Sequence, residues 1–214
     1  MLSDAQLGLL TGFAFAVFYT FAGLPIASLA DRSNRRNIVA ISLTIWSGMT
    51  AISGLAQNYW QLLAARIGVG IGEAGGSPPS HSMISDIFPP EKRASAIGFY
   101  STGISIGILF GFLFGGWLNE FFGWRVAFFV VGIPGVLLAL VLYLTVPEPV
   151  RGLAENKASS VDNPSMMTVF KVLLSRRSFL FMALGAAMNA FAGYSTANWV
   201  CLLYTSDAAD DDHC

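Results

Sequence analysis

Charged residues are scarce in this sequence. Of its 214 residues, 12% are Asp, Glu, Lys or Arg, whereas a soluble domain carries about 25%. Hydrophobic residues make up 54% of the chain, and the mean hydropathy is +0.60. So little charge among so many apolar residues excludes an ordinary soluble domain and predicts a membrane protein.

Cysteine and histidine are scarcer still. The two cysteines, Cys201 and Cys214, lie near the C-terminal end, and the two histidines, His81 and His213, are far apart. Their spacing predicts neither a disulfide framework nor a metal site, and we expect no cofactor. The net charge of -1 gives no indication of nucleic-acid binding, because the charges lie in short stretches between apolar segments.

Six segments are apolar enough and long enough to cross a bilayer, which takes roughly 20 helical residues. Because a backbone in lipid must satisfy its own hydrogen bonds, we predict that all six are helices. They are residues 7–30, 38–56, 59–87, 94–118, 126–146 and 179–203. The predicted fold class is an all-α membrane protein, a polytopic bundle with six transmembrane helices.

Lys and Arg are distributed unequally between the loops. Three lie within residues 31–37, two follow residue 87 and five lie within residues 147–178, whereas the loops on the other side hold only Arg125. Cytoplasmic loops carry an excess of Lys and Arg. The three loops rich in Lys and Arg, at residues 31–37, after residue 87 and at residues 147–178, are therefore predicted to be cytoplasmic. Met1 is then predicted to lie outside.

Two charges, Arg66 and Glu73, interrupt the third apolar segment. Seven residues are close to two helical turns, so both side chains leave the same face, about 10 Å apart along the axis. Arg66 can reach the outer interface, but a glutamate near the membrane middle cannot reach either surface. Intramembrane ionisable groups face a bundle interior or a watery cavity. The pair therefore either lines a cavity or makes structural polar contacts with a neighbouring helix.

Desolvation favours a protonated Glu73, whereas a nearby guanidinium favours the carboxylate. A group balanced between these two effects can bind a proton in one conformation and release it in another. Farther along the same segment, Pro78 and Pro79 remove backbone donors and predict a kink in the cytoplasmic half. His81 is a weaker candidate for a proton relay, since a lone histidine near a helix end also serves as an ordinary polar group.

Glycines recur every four residues in two of the segments. The first series consists of Gly68, Gly72 and Gly76, with Gly70 between them, and the second consists of Gly103, Gly107, Gly111 and Gly115. Small residues let helix backbones approach closely in lipid. The same smooth faces would also tolerate the sliding of one helix on another, and the spacing alone does not separate these roles.

The loop LADRSNRRN resembles the signature loop of the major facilitator superfamily, a small residue followed by an acid, a basic residue and a basic pair. Here the charged positions are Asp31, Arg32, Arg35 and Arg36. Ala27 stands where that family usually has glycine. The resemblance implies that these charges latch a cytoplasmic gate; an ordinary cytoplasmic loop is the alternative.

Other stretches resemble the same family. LLAARIGVGIGEAGG is similar to its fourth-helix pattern, in which the arginine, here Arg66, is associated with proton coupling. GISIGILFGFLFGG resembles a fifth-helix glycine pattern of many exporters, but Phe112 replaces its proline and weakens any inference of antiport. VPEPVRG resembles the marker that closes the family's first six helices. RIGVGIGEAGGSPPSHSMISDIFPPEKRA and FGWRVAFFVVGIPG are similar to the spinster-like branch.

This resemblance implies that the chain covers helices two to seven of a partial major facilitator fold. The first helix, whose aspartate would face Arg66 and Glu73, and helices eight to twelve would then be the missing remainder of its own fold. The branch is associated with lysolipid and sphingolipid export in animals, with broader or unknown cargo in bacteria. The short loops resemble bacterial members, so we expect a multi-pass protein of the bacterial inner (plasma) membrane.

Four regions are predicted along the chain. Residues 1–146 form an N-terminal transmembrane bundle without its first helix, and residues 147–177 form a cytoplasmic linker with an interfacial helix. Residues 178–203 begin the C-terminal bundle, and residues 204–214 resemble a non-native tail. In the C-terminal segment, Asn189, Tyr194 and Asn198 are candidates to line a pathway.

Three functions remain at this point. The first is a secondary transporter, coupled to protons, that moves a small-molecule substrate of organic or amphipathic, lipid-like character by alternating access. The second is an uncoupled facilitator of the same fold. The third is a membrane-embedded enzyme, which is disfavoured because His81 is the only internal histidine and no G-x-S-x-G element is present. Membrane lipid and protons are the other expected partners.

Overall fold

The computed structural model describes residues 3, 6, 8–155 and 166–205, and these residues form helices and loops without a strand. The chain divides into two compact units, Met1–Ser160 and Val161–Cys214. In the first unit a π-helical turn, Leu9–Phe13, leads into α1 (Ala14–Arg32), followed by α2 (Arg35–Ser53), α3 (Tyr59–Glu73), α4 (Ser77–Ile87), α5 (Pro90–Phe122), α6 (Trp124–Thr145) and a short 3₁₀ turn, Leu153–Glu155. The second unit contains α7 (Met166–Ser175) and α8 (Arg177–Thr205). The predicted all-α class is confirmed.

Helix α2 lies at the centre of the first unit and packs against α3 and α6, while α1 packs against α3 and α5 against α6. Glycines make the closest approaches possible. A Cβ atom on Gly72 would lie 2.6 Å from the Trp46 backbone nitrogen, and one on Gly132 would lie 2.6 Å from that of Ala51. The core therefore depends on direct contact between helix backbones, as expected for helices that associate in lipid.

The third predicted segment is divided in two. Helix α3 ends at Glu73, three turn residues follow, and α4 begins at Ser77. Pro78 and Pro79 lie in the first turn of α4, where a missing N–H costs no intrahelical hydrogen bond. The expectation of one continuous helix with a proline kink was wrong, because the prolines begin a new helix.

Three of the described helices, α1, α5 and α6, are long and apolar enough to cross a membrane by length and composition. The break leaves α3 with 15 residues and α4 with 11, so each is too short to span alone at 1.5 Å per residue. The segment formed by α3, the turn and α4 covers residues 59–87, which the sequence predicts to cross the membrane once. Helix α5 has 33 residues and, at about 50 Å, extends well past the hydrocarbon core.

Within the first unit, the ends of the helices alternate between two sides as the distribution of Lys and Arg predicts. On the side predicted to be outside, Tyr59 Oη donates to the Gln6 carbonyl and Arg125 Nη2 donates to the Ala56 carbonyl. Gly123 makes the turn between α5 and α6 with φ of +80°, a backbone conformation that favours glycine. The opposite side carries the basic loops.

In the second unit, Arg176 separates α7 from α8. The side chains of Val169, Phe170 and Leu173 on α7 are exposed, so the placement of this helix in the membrane interface stays a prediction. The linker residues 156–165 and the tail residues 206–214 lie outside the described residues.

Candidate functional site

Arg35, the first residue of α2, is the centre of a polar cluster on the side of the basic loops. Its side chain is 1% exposed, and no described residue with a fully buried side chain is larger. Its Nε donates to Glu148 Oε1 at 2.8 Å, and its Nη1 forms an ion pair with Asp86 and donates to Ser82 Oγ at 2.8 Å. Its Nη2 donates to the Pro149 carbonyl at 2.9 Å. One guanidinium therefore connects α2, α4 and the segment after α6.

The carboxylate of Glu148 accepts more than the Arg35 bond. Its Oε2 accepts from the Arg36 backbone N–H at 2.8 Å, which is one of the unpaired amides at the start of α2. Partial burial by itself raises the pKa of Glu148, but the hydrogen bonds from Arg36 and Arg35 outweigh it and hold that pKa below its usual value. Glu148 therefore remains an anion at the N-terminus of α2, where the helix dipole also favours negative charge.

Arg151 adds a second connection on the same side. Its Nη2 donates to the Ala30 carbonyl at 2.7 Å and to the Ser33 carbonyl at 2.8 Å, at the end of α1. The backbone N–H of Gly152 donates to Asp86 Oδ1 at 3.0 Å. The VPEPVRG segment thus holds together the ends of α1, α2 and α4. We call residues Arg35, Asp86, Glu148 and Arg151 the cytoplasmic cluster, after the side on which the sequence predicts these loops to lie.

The predicted gate residues divide into two groups. Arg35 and Arg36 contact the cluster through a side chain and a backbone amide respectively, whereas Asp31 and Arg32 are exposed. No side-chain hydrogen bond or ion pair joins Asp31 or Arg32 to another residue in the part of the chain that the structure describes. Their role in the gate stays a prediction.

Sequence reasoning did not identify the acids of the cluster as site residues. Asp86 was visible only as a charge at the end of an apolar segment, and Glu148 only as part of the VPEPVRG motif. The signal that could have found them was the surplus of arginine in the first basic loop. A buried arginine needs acidic partners, and Asp86 and Glu148 are among the acids at predicted helix ends on the same side.

Arg66 and Glu73 both lie on α3, which is continuous between them, so the predicted shared face follows from helical geometry. Arg66 is half-buried and Glu73, the last residue of α3, is exposed in the described structure. The two charges attract each other across the intervening turns, but no ion pair or hydrogen bond joins them in the described chain. The side chains of Arg66 and Glu73 therefore both keep hydrogen-bonding capacity for another partner.

The end of α3 places Glu73 beside irregular backbone. Its carbonyl accepts from the Gly76 N–H at 3.0 Å, while Gly75 N–H bonds to the Gly72 carbonyl at 3.3 Å. A carboxylate at a helix C-terminus lies at the negative end of the dipole, which is unfavourable for its charge. Transporters commonly place their substrate and ion sites at such interrupted helices near the membrane middle.

The other predicted pathway residues are not brought to this pair. His81 on α4 is exposed, and its ring meets that of Tyr100 edge-on with centroids 5.4 Å apart. Asn189 on α8 is exposed within the second unit. The side chains of Tyr194 and Asn198 lie outside those that the structure describes. Among the described residues, no group of His, Cys, Asp and Glu has the arrangement of a metal site.

The predicted packing glycines also divide into two groups. A Cβ on Gly70 would lie 3.0 Å from the Phe15 carbonyl oxygen, and Gly72 contacts α2 directly. By contrast, four glycines of α5 have open space beside them in the described chain; these are Gly103, Gly107, Gly111 and Gly115. Close packing holds for the α3 glycines, and for the α5 glycines it stays a prediction.

Comparison with known proteins gives a consistent result. The family model described as Major Facilitator Superfamily matches residues 1–208. An MFS-type efflux pump of Mycolicibacterium smegmatis is 35% identical over 194 residues, which are 91% of this chain and 44% of the relative. Protein spinster homolog 3 of Danio rerio is 32% identical over 201 residues, 92% of this chain and 40% of that protein.

A solved structure is also similar. The crystal structure of a bacterial homolog to the human lysosomal transporter Spinster, in an inward-facing and unoccupied conformation, matches with a TM-score of 0.73 and 41% identity. The match covers 92% of this chain and 47% of that one. The chain spans less than half the length of these relatives. The predicted resemblance to the spinster-like branch is confirmed.

Proposed function

Since the chain belongs to the Major Facilitator Superfamily, we propose that it forms part of a proton-coupled secondary transporter for a small organic or amphipathic, lipid-like solute. The observation that carries the proposal is the position of Glu73, an acid at the end of α3 and directly before the break at residues 74–76. An acid within a membrane segment is costly and marks an ion or substrate pathway.

The surroundings of Glu73 support coupling to protons. Within a membrane, a negative charge there would be opposed by the helix dipole and by the scarcity of water, and it would be favoured by Arg66 two turns away. A change in the distance between these side chains, or in the access of water, shifts that balance and loads or releases a proton. In this account Glu73 carries the proton and Arg66 sets when it leaves.

The cytoplasmic cluster supplies a gate for alternating access. Arg35 joins two acids that belong to different parts of the bundle, Asp86 at the end of α4 and Glu148 after α6. Because rocking moves one bundle as a body against the other, these ion pairs would stay intact and hold the helix ends in place at the gate. Asp31 and Arg32, exposed beside the cluster, remain available for contacts with the rest of the fold.

An uncoupled facilitator of the same fold is the second candidate, and Arg66 and Glu73 would then bind the solute without exchanging protons. The membrane-embedded enzyme is set aside, because the relatives are named as transporters and an efflux pump. We propose that the protein functions in the bacterial inner membrane.

The two candidates differ in a direct measurement. A full-length protein containing this chain is reconstituted in vesicles that enclose a pH-sensitive dye, and organic acids and lysophospholipids are added as candidate solutes. Proton movement that accompanies uptake or release of a solute supports coupling. Solute flux that an imposed pH gradient leaves unchanged would instead support the facilitator.

A further inference from the structure

The outer surface shared by α2 and α6 carries an apolar groove of about 450 Å³. It extends along α2 from Ala40 to Ile45 and along α6 from Val136 to Tyr143. Both stretches belong to the ends of the helices that carry the basic loops, so the groove lies in the cytoplasmic half of the bundle. In the predicted orientation, an apolar groove at this depth would face the acyl chains of the inner leaflet.

Arg36 lies at the cytoplasmic end of this groove, one helical turn before Ala40. Its guanidinium carbon is 4.8 Å from the centroid of the Tyr143 ring, and Tyr143 itself lines the groove. Among the described residues, the guanidinium donates to the neutral Asn37 Oδ1 alone, at 3.2 and 3.0 Å. In the described chain no acidic side chain forms an ion pair with Arg36.

Arg36 therefore differs from its neighbour Arg35, whose charge is balanced by two carboxylates. The nearest acid, Glu148, accepts the backbone N–H of Arg36, and its own charge is taken up by Arg35. The positive charge of Arg36 therefore has no acidic partner in the described chain. In the predicted orientation it lies at the level of the lipid headgroups. An anionic headgroup is the complementary partner, since basic residues at the cytoplasmic surface attract anionic lipids.

We propose that this groove binds one anionic phospholipid of the cytoplasmic leaflet. The phosphate contacts the Arg36 guanidinium, Tyr143 holds that guanidinium in place, and one acyl chain lies along Ala40, Thr44 and Leu140. Neither Arg66 nor Glu73 lines the groove, so in this proposal the bound lipid is distinct from the transported solute. The proposal does not depend on what the protein transports.

The test uses the purified full-length protein in detergent, given equal amounts of phosphatidylglycerol and phosphatidylcholine with identical acyl chains. Native mass spectrometry records which lipid remains bound. We expect phosphatidylglycerol to be retained about fivefold over phosphatidylcholine, the preference that one basic residue near the membrane surface provides. Equal retention of the two lipids would overturn the proposal.

Variants separate the two parts of the site. Arg36→Gln should abolish the preference, Arg36→Lys should keep most of it, and Thr44→Trp, which fills the groove, should reduce retention of both lipids. Arg32→Gln and Leu138→Trp, an exposed arginine and an exposed α6 position outside the groove lining, are the matched controls and should retain the wild-type behaviour. Size-exclusion profiles confirm folding of each variant.

Three further results would contradict the proposal. If Arg36→Gln keeps the preference, Arg36 does not hold the headgroup. If Thr44→Trp retains as much lipid as the wild type, the acyl chain does not lie in the groove. If millimolar inorganic phosphate displaces phosphatidylglycerol, the site recognises free phosphate rather than a lipid. Absence of displacement supports the contribution of the acyl chain.

Discussion

Arg35 Nε donates to Glu148 Oε1 across 2.8 Å, although 113 residues separate the two in sequence. The bond joins the first residue of α2 to the segment that follows α6, and the same guanidinium pairs with Asp86 in the last turn of α4. Three loop-adjacent ends of the bundle are therefore fixed by a single buried side chain. Because of this arrangement, replacing Arg35 should disrupt contacts at more helix ends than replacing any other residue of the cytoplasmic cluster.

Replacing Arg35 with glutamine should destabilise the protein, because Asp86 and Glu148 would be left as neighbouring carboxylates without a cation. Breaking a charge-assisted bond typically costs about 2 kcal/mol, which corresponds to a fall in Tm of about 5 °C for a unit of this size. Thermal unfolding in detergent, followed by tryptophan fluorescence, measures the effect. Arg32→Gln removes an equal charge from an exposed residue and should change Tm little; equal falls in both variants would contradict the account.

The contribution of Glu148 should depend on pH. In the folded protein the pKa of Glu148 is held below its usual value. In an unfolded chain the pKa of a glutamate is about 4.3. The stabilisation is therefore fully present above about pH 4.3 and is lost as the pH falls through the lowered folded pKa. The wild type should exceed Glu148→Gln in Tm at neutral pH, and this difference should shrink progressively below about pH 4.3.

The measurement is the Tm of both proteins from pH 7 to pH 3. Glu91→Gln, which removes an exposed acid at the start of α5, controls for the general loss of a negative charge. A difference between the wild type and Glu148→Gln that stays constant, or grows on acidification, would show that the hydrogen bonds to Glu148 do not depend on its charge.

Gly72 should not tolerate even one added methyl group. A Cβ at this position would lie 2.6 Å from the Trp46 backbone nitrogen, whereas a Cβ on Gly48 meets nothing within 4 Å. Gly72→Ala should cost about 1–3 kcal/mol through overpacking, whereas Gly48→Ala should be neutral or stabilising, because alanine favours a helix. Tm values of the two variants test this, and a Gly72→Ala protein as stable as Gly48→Ala would contradict the close α2–α3 contact.

The helices could be predicted because they depend on local composition, and apolar length indicates which of them are candidates to span a membrane. The side of the membrane on which each loop lies stays a prediction from the arginines and lysines. The break after Glu73 could not be predicted in the same way. Gly75 and Gly76 lie within an apolar run and resemble packing glycines, and Pro78 can equally kink a helix or begin one. The packing of α3 against α1 and α2 selects between them.

The cytoplasmic cluster was only half predictable. Arg35 and Arg36 belong to a motif within one loop, but their partners are set by the fold, Asp86 at 51 residues and Glu148 at 113 residues from Arg35. Contacts at such separations follow from which helix ends meet, and a single sequence does not contain that information. The motif also gave Asp31 and Arg32 equal weight, although neither contacts the cluster in the described chain.

The central claim is that Glu73 carries the coupled proton, and Glu73→Gln tests it most directly. The amide keeps the size of the side chain but cannot bind and release a proton. In vesicles containing the full-length variant, we expect solute exchange at equal pH to persist, whereas accumulation driven by a pH gradient should be lost. Glu120→Gln, at an exposed acid near the end of α5, should leave both activities unchanged. Undiminished gradient-driven accumulation in Glu73→Gln would contradict the account.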